Sequence, residues 1–318
     1  MGKKKDSLEL YFHIPFCIKK CDYCDFLSGP ATRAGQEAYI YALLREMKAV
    51  SAIEKRTVDT VFIGGGTPSV PECGIMEKLL QGIGKNFQLA ADAEVTIEAN
   101  PGTLTPEKLA LYRRYGINRI SIGLQSPENQ ELRALGRIHN YQQFLESYHM
   151  AREAGFSNIN IDLMFAIPGQ SYEGWIQNLR TVAKLGPEHI SAYSLIIEEG
   201  TPFSARKLDL PDEDTEYRMY EDVAAVLGKY GYYQYEISNY AKKDRNCRHN
   251  EGYWQRKDYL GLGLGAASLV GRERFTNTSD MSEYLENSGN LEKIRTDRET
   301  LTREDEMGEF MFLGLRMT

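Results

Sequence analysis

The stretch LELYFHIPFCIKKCDYCDF, residues 8–26, begins as an apolar run of strand length and ends in a loop that places Cys17, Cys21 and Cys24 within eight residues. Five more short runs rich in β-branched and apolar residues follow: TVDTVFIGG from Thr57, EVTIEAN from Glu94, NRISIGLQS from Asn118, NINIDLMFAIPG from Asn158 and HISAYSLII from His189. The segments between them carry a 3.6-residue apolar period. In residues 36–53, for example, Tyr39, Ile40, Leu43, Leu44, Met47 and Val50 fall on one helix face. Thr105-Pro106 reads as an N-cap followed by a first-turn proline, for a helix ending near Gly116. Gly155 and Gly186 read as helix stops.

Strand and helix in repeated alternation predict right-handed crossovers and a parallel sheet. Six such units in about 200 residues predict an α/β fold, an incomplete (β/α) barrel of six strands. Chemistry in such folds gathers at the carboxyl ends of the strands, and the unusual residues sit there. The cysteine loop follows the first strand, GGGTP the second, EANPG the third and GLQS the fourth, while DLMFAIPGQ lies on the fifth. After residue 205 the pattern changes. A helix over 212–230 precedes the strand YYQYEIS, the segment CRHNEGYW and the glycine-rich YLGLGLGAAS. No lysine follows those glycines in phosphate-loop spacing, so they predict tight packing. The chain is therefore divided at 1–205 and 206–318, the second part an α+β extension. Its closing segment REDEMGEFMFLGLRMT reads as an amphipathic helix that stops without a cap, and the extension is expected to be incomplete.

Composition narrows the class. Of 318 residues, 42% are hydrophobic and 26% charged, as in a folded domain with a substantial core. No apolar run reaches the roughly 20 residues of a membrane span. MGKKKDSLELYF runs directly into a strand and is not expected to be a signal peptide, and Asp6 stands where myristoylation needs Ser or Thr. The expected location is the cytoplasm. A net charge of −7 argues against binding nucleic acid or anionic lipid through a basic face, and the Lys3–Lys5 run reads as a solvated tail. Five cysteines with three clustered make a poor disulfide framework and a good metal loop.

Three thiols are one short of a closed zinc site, and Cys73 and Cys247 have no second C-x2-C pair to complete one. Four irons held by three thiolates leave one iron open, as a catalytic metal site requires. C-x3-C-x2-C after the first strand of a partial barrel resembles the signature of the radical S-adenosylmethionine superfamily. The resemblance implies a [4Fe-4S] cluster on Cys17, Cys21 and Cys24, whose open iron is chelated by S-adenosylmethionine. It also implies reductive cleavage of that cosubstrate to a 5′-deoxyadenosyl radical.

The same resemblance assigns further positions. GGGTP alone is a glycine turn; in the superfamily its counterpart lets the backbone approach the methionine amino group, here at Gly65, Gly66 and Thr67. Glu98, which could equally be a solvated strand end, matches a ribose- or amino-contacting glutamate. Gln125, Arg137 and Asp162 match residues that contact the ribose and carboxylate, chemistry suited to an acceptor carboxylate and a bidentate guanidinium. Tyr11 and Tyr23 would pack near the cluster and sulfonium.

YFHIPFC, GGGTPS, IEANPGT, ISIGLQS, NIDLMFAIPGQ and CRHNEGYW resemble the group that contains oxygen-independent coproporphyrinogen III oxidase and the HemW-type haem chaperones. The oxidase carries an additional cysteine where this chain has Phe26, and a longer segment before its cluster; both departures favour the chaperone branch. HNEGYW, His249–Trp254, is similar to the H-N-x-x-Y-W motif of that branch, implicated in haem binding. A neutral imidazole suits haem iron, and Tyr253 and Trp254 offer flat apolar area; His249 also reads as a structural histidine beside core aromatics. His13 reads as structural. The resemblance implies haem as a further ligand and haem-accepting proteins, respiratory enzymes among them, as partners. The rival expectation is radical decarboxylation of coproporphyrinogen.

Overall fold

The computed structural model describes residues 7–318; the Lys3–Lys5 run and Asp6 lie outside the described residues. Six strands, β1 (Ser7–Ile14), β2 (Thr57–Gly65), β3 (Leu89–Ala99), β4 (Arg119–Gln125), β5 (Ile159–Phe165) and β6 (His189–Ser194), pair in parallel in sequence order. They are connected through α1 (Arg33–Ile53), α2 (Cys73–Asn86), α3 (Pro106–Arg114), α4 (Asn129–Ala134), α5 (Tyr141–Glu153) and α6 (Tyr172–Leu185). β1 and β6 do not pair with each other, so the barrel is partial, as expected.

Local sequence explains the boundaries. The Thr105 hydroxyl accepts from Lys108 N at the start of α3, with Pro106 in the first turn. α6 ends on Gly186 in a left-handed conformation, φ 74°, where a side chain would be strained. Along β1, Leu8, Leu10, Phe12 and Ile14 are fully buried in the core that includes Ile40, Leu43 and Met47 of α1. Glu9, Tyr11 and His13 alternate to the opposite, luminal face.

The residues after 205 contribute α7 (Glu213–Gly228), β7 (Tyr233–Glu236), β8 (Asn239–Ala241), α8 (Arg248–Trp254), β9 (Tyr259–Leu262), β10 (Ala267–Val270), β11 (Glu273–Asn277), α9 (Met281–Asn287), α10 (Leu291–Ile294), β12 (Arg295–Thr300) and α11 (Arg303–Gly314). β8 pairs antiparallel with β6, and β9 pairs parallel with β1, so one sheet of twelve strands runs β12-β11-β10-β9-β1-β2-β3-β4-β5-β6-β8-β7. α1 is tied to this addition by Glu46, which is buried and accepts from Gly263 N, Asn277 Nδ2 and the Tyr284 hydroxyl at 2.9, 2.7 and 2.6 Å. The glycine-rich segment packs tightly, as expected: a Cβ on Gly261 would lie 2.2 Å from the Ala267 carbonyl oxygen.

Between β8 and β9 the short α8 enters the lumen. Its N-terminus has no side-chain cap of its own. Instead the buried Glu94 carboxylate of β3 accepts from Arg248 N and His249 N, each at 3.3 Å, and from Cys247 Sγ at 3.6 Å. A carboxylate there satisfies free N–H groups and complements the helix dipole. The same helix lies so close to β1 that a Cβ on Gly252 would stand 1.9 Å from Glu9 Oε1.

Candidate cofactor and ligand sites

The loop after β1 is closed by Cys17 N donating to Gly29 O and Gly29 N to Pro15 O, both at 3.0 Å. It is held from outside by Phe203 N donating to Asp22 O at 3.0 Å and by a 2.6 Å ion pair between Arg206 and Asp22. Gly136 leaves room for this anchor, since a Cβ there would sit 2.8 Å from the Asp22 carboxylate. The turn after β2 folds onto the same place: Gly66 N donates to Ile14 O and Thr67 N to Phe16 O. Gly65, at φ 107°, and Gly66 have no space for a Cβ, which would meet His13 Nδ1 at 2.6 Å and Phe16 O at 2.8 Å. The glycines therefore set the close approach of two loops, and Thr67 Oγ1 comes to 3.5 Å from Cys17 Sγ.

Cys17, Cys21, Cys24, Tyr23, Gly65, Gly66, Thr67, Glu98, Gln125, Arg137 and Asp162 all line one cavity of about 420 Å³ at the carboxyl ends of the strands. Arg137 organises it, donating to Asn100 Oδ1 and Gly123 O at 2.7 Å through Nη2, with Nη1 3.4 Å from Cys21 Sγ. Glu98 accepts from Gly65 N at 3.1 Å; burial, then the Asp162 charge, pushes its pKa up to about 8. Asp162 accepts from Ser121 Oγ and Asn160 Nδ2 at 3.1 and 2.7 Å, and burial raises its pKa too. Gln125 closes β4 with φ 71° and receives the Tyr193 hydroxyl at 2.8 Å.

Sequence reading missed Asn100, Ser121 and Tyr193 as parts of this wall. Asn100 sits in the quoted EANPG, and Ser121 and Tyr193 keep step with the luminal residues of β4 and β6, which is the signal that would have found them. Tyr11 is not brought to this cavity. Its hydroxyl lies 3.1 Å from His13 Nδ1, and His13 Nε2 is 2.9 Å from the Leu27 carbonyl oxygen.

The donor set fits an iron–sulfur cluster: three cysteine sulfurs share a cavity beside a guanidinium. Thiolates are the ligands of iron–sulfur clusters, which spread their ligands around several irons.

His249 lies elsewhere, on α8 in the lumen and 1% exposed. Its Nδ1 is 2.6 Å from Thr60 Oγ1 and its Nε2 3.0 Å from the Tyr253 hydroxyl, and the ring stacks on Phe62. Burial, then the charges of Arg119 and Lys257, push its pKa down to about 3, so the imidazole is neutral. Tyr253 and Trp254 line a second cavity, of about 480 Å³, together with Tyr11, Tyr259, Leu269 and Phe312.

Comparison with known proteins identifies the family. The Radical SAM superfamily profile matches residues 11–182. The heme chaperone HemW of Escherichia coli is 43% identical over 84% of this chain and 71% of its own length. Those of Lactococcus lactis and Bacillus subtilis are 38% and 37% identical over 96% and 97% of this chain and 80% and 83% of theirs. A solved coproporphyrinogen III oxidase of Escherichia coli, HemN, a radical SAM enzyme, superposes with a TM-score of 0.89 at 26% identity, covering 99% of this chain and 76% of that one. The chain belongs to the radical SAM superfamily and, within it, to the HemW-type family.

Proposed function

We propose that this protein is a haem chaperone that binds haem through the HNEGYW segment and passes it to acceptor proteins, respiratory enzymes among them, in the cytoplasm. It also holds a [4Fe-4S] cluster on Cys17, Cys21 and Cys24 and binds S-adenosylmethionine against Gly65, Gly66, Thr67, Glu98, Gln125, Arg137 and Asp162. The observation that carries this reading is the presence of two separate cavities in one chain, one with three thiols and one bordered by Tyr253 and Trp254 beside a neutral His249. The family supports it as well, since the relatives quoted above are named heme chaperones. Among the described residues no helix is long and apolar enough to cross a membrane.

In the cysteine cavity Cys17, Cys21 and Cys24 would hold a cluster, which would supply a transferable electron and an iron free to bind the cosubstrate. The chain's own residues do the rest. Arg137 presents a half-buried guanidinium, suited to a carboxylate. Glu98 and Asp162 offer carboxylate oxygens to ammonium and hydroxyl groups. The two tight glycines let backbone N–H groups reach the ligand.

The closest rival, radical decarboxylation of coproporphyrinogen, draws on the 0.89 superposition with HemN. One experiment separates them. Anaerobically reconstituted protein is titrated with haem and assayed for coproporphyrinogen conversion. A shifted Soret band that His249→Ala loses, without conversion, is expected. The Cys17/Cys21/Cys24→Ala triple variant should lose its iron and keep the Soret shift. Haem binding unchanged in His249→Ala would remove the motif from the function, and product formation would install the enzyme reading.

A further inference from the structure

His249 is enclosed in the lumen with both ring nitrogens engaged, whereas Tyr253 stands between it and the second cavity. The cavity's walls are mainly aromatic and aliphatic, with Tyr253 and Tyr259 meeting edge to face at 4.7 Å between centroids, and Arg256, Arg274 and Glu309 are the charged residues among them. Such walls accept a flat apolar ligand. Two wall residues also carry N–H groups that are buried with no acceptor among the described residues, Trp254 Nε1 and Arg256 Nη2. Arg256 uses its other nitrogens on Glu306 and Glu309, at 3.3 and 2.8 Å. It does so from a left-handed backbone, φ 54°, which disfavours most residues other than glycine. Buried unpaired donors are rare in folded proteins and call for an acceptor.

Resting on the haem reading above, we propose that this cavity, bounded by α8, β9, β10 and α11, seats the tetrapyrrole. The macrocycle lies against Tyr253, Tyr259, Leu269 and Phe312, and a propionate side chain is taken by the indole N–H of Trp254 and the free N–H of Arg256. His249 acts through the Tyr253 hydroxyl as a positioning residue. An arginine fork and an indole N–H suit a carboxylate, because a charged acceptor makes the stronger hydrogen bond. The ligand class is thus a planar macrocycle with carboxylate arms, whether or not it holds iron.

The test uses the full chain with metal-free protoporphyrin IX, its dimethyl ester and haemin, followed by fluorescence and absorption. Free protoporphyrin should bind at least tenfold more tightly than the ester. Trp254→Phe, which keeps the ring and removes the N–H, should weaken the free acid about tenfold and leave the ester unchanged. Ala267→Trp, at an exposed strand position bordering the cavity, should weaken both protoporphyrin and haemin at least tenfold with unchanged circular dichroism. His249→Ala should lose the haemin Soret shift while metal-free protoporphyrin still binds. Equal affinities of acid and ester in the parent overturn the proposal, as does parental protoporphyrin binding by a folded Ala267→Trp. If the parent binds haemin while Ala267→Trp changes nothing, the chaperone reading stands and this seat falls. If the parent binds neither haemin nor protoporphyrin, both fall.

Discussion

Glu98 and Asp162 are half-buried carboxyl groups on the luminal wall, and burial raises the pKa of each. For Glu98 the sign is definite. A folded-state pKa near 8 lies above that of the unfolded chain, so the folded protein holds an extra proton between about pH 4.5 and 8 and loses stability as pH rises through that window. Glu98→Gln should therefore flatten the fall in melting temperature of the cluster-free protein between pH 5 and 8. In the loaded protein, Glu98→Ala and Asp162→Ala should each weaken S-adenosylmethionine binding while the cluster's absorption persists. A charge-assisted hydrogen bond contributes about 1.5–3 kcal/mol, roughly ten- to a hundredfold in affinity, and calorimetry would measure it. These residues were legible because strand ends are short and each follows an apolar run. Tyr11 was not, because alternation along β1 does not say what lies opposite a luminal side chain. Glu46 was not either: a glutamate between Leu43 and Met47 gives no sign that three donors wait for it inside the core.

At the scale of elements, the six parallel strands were readable because strands covered on both faces are built from uninterrupted β-branched runs. α8 was unreadable as a lumen plug. Seven residues carry too little periodicity, and its anchor, Glu94, is remote in sequence. α11 shows a different balance. It has no buried residue, and Met307, Phe310, Met311, Phe312 and Leu315 are exposed. It is tied to the rest by ion pairs, Glu306 with Arg256 and Arg272, and Glu309 with Arg256 and Arg274. Burial alone would raise the Glu309 pKa, but its bonds to Arg256 and Arg274 bring the group below the usual value. Its contribution is thus present at neutral pH and lost as pH falls through that depressed pKa. At 1 M salt the screening length shrinks to about 3 Å, and such half-exposed pairs weaken. Hydrogen exchange of α11 should accelerate in 1 M salt, and Glu309→Gln should reproduce the effect at low salt while β1–β6 stay protected. Equal protection in both conditions would mean that apolar packing governs the helix.

For the whole molecule, the pairing of the extension with both rims of the parallel sheet was beyond sequence reading. Nothing in YYQYEIS or YLGLGLG says which edge it will join, because edge choice is decided by the lumen it helps to close. The consequence is measurable. Residues 7–205 expressed alone would present β1 and β6 as unpaired edges and leave Glu94 and Arg119 without the plug that covers them, and exposed edges promote association between chains. Such a fragment should be recovered aggregated or unfolded, and a monomeric fragment with native circular dichroism would show that the barrel stands without its additions.

The register of one strand pair also carries a schedule. β1 is made first, and its outer neighbour is β9, with Glu9 opposite Tyr259. At ribosomal speeds of about 5–20 residues per second, β1 waits roughly 10–50 s before that partner has been synthesised. During that interval the strand that leads into the thiol loop has a hydrogen-bonding edge with nothing to occupy it. Assembly of a cluster, which would need the loop after β1 folded against the β2 turn, would thereby be divided in time from completion of the tetrapyrrole side, whose walls, Tyr11 apart, come from residues 253–313.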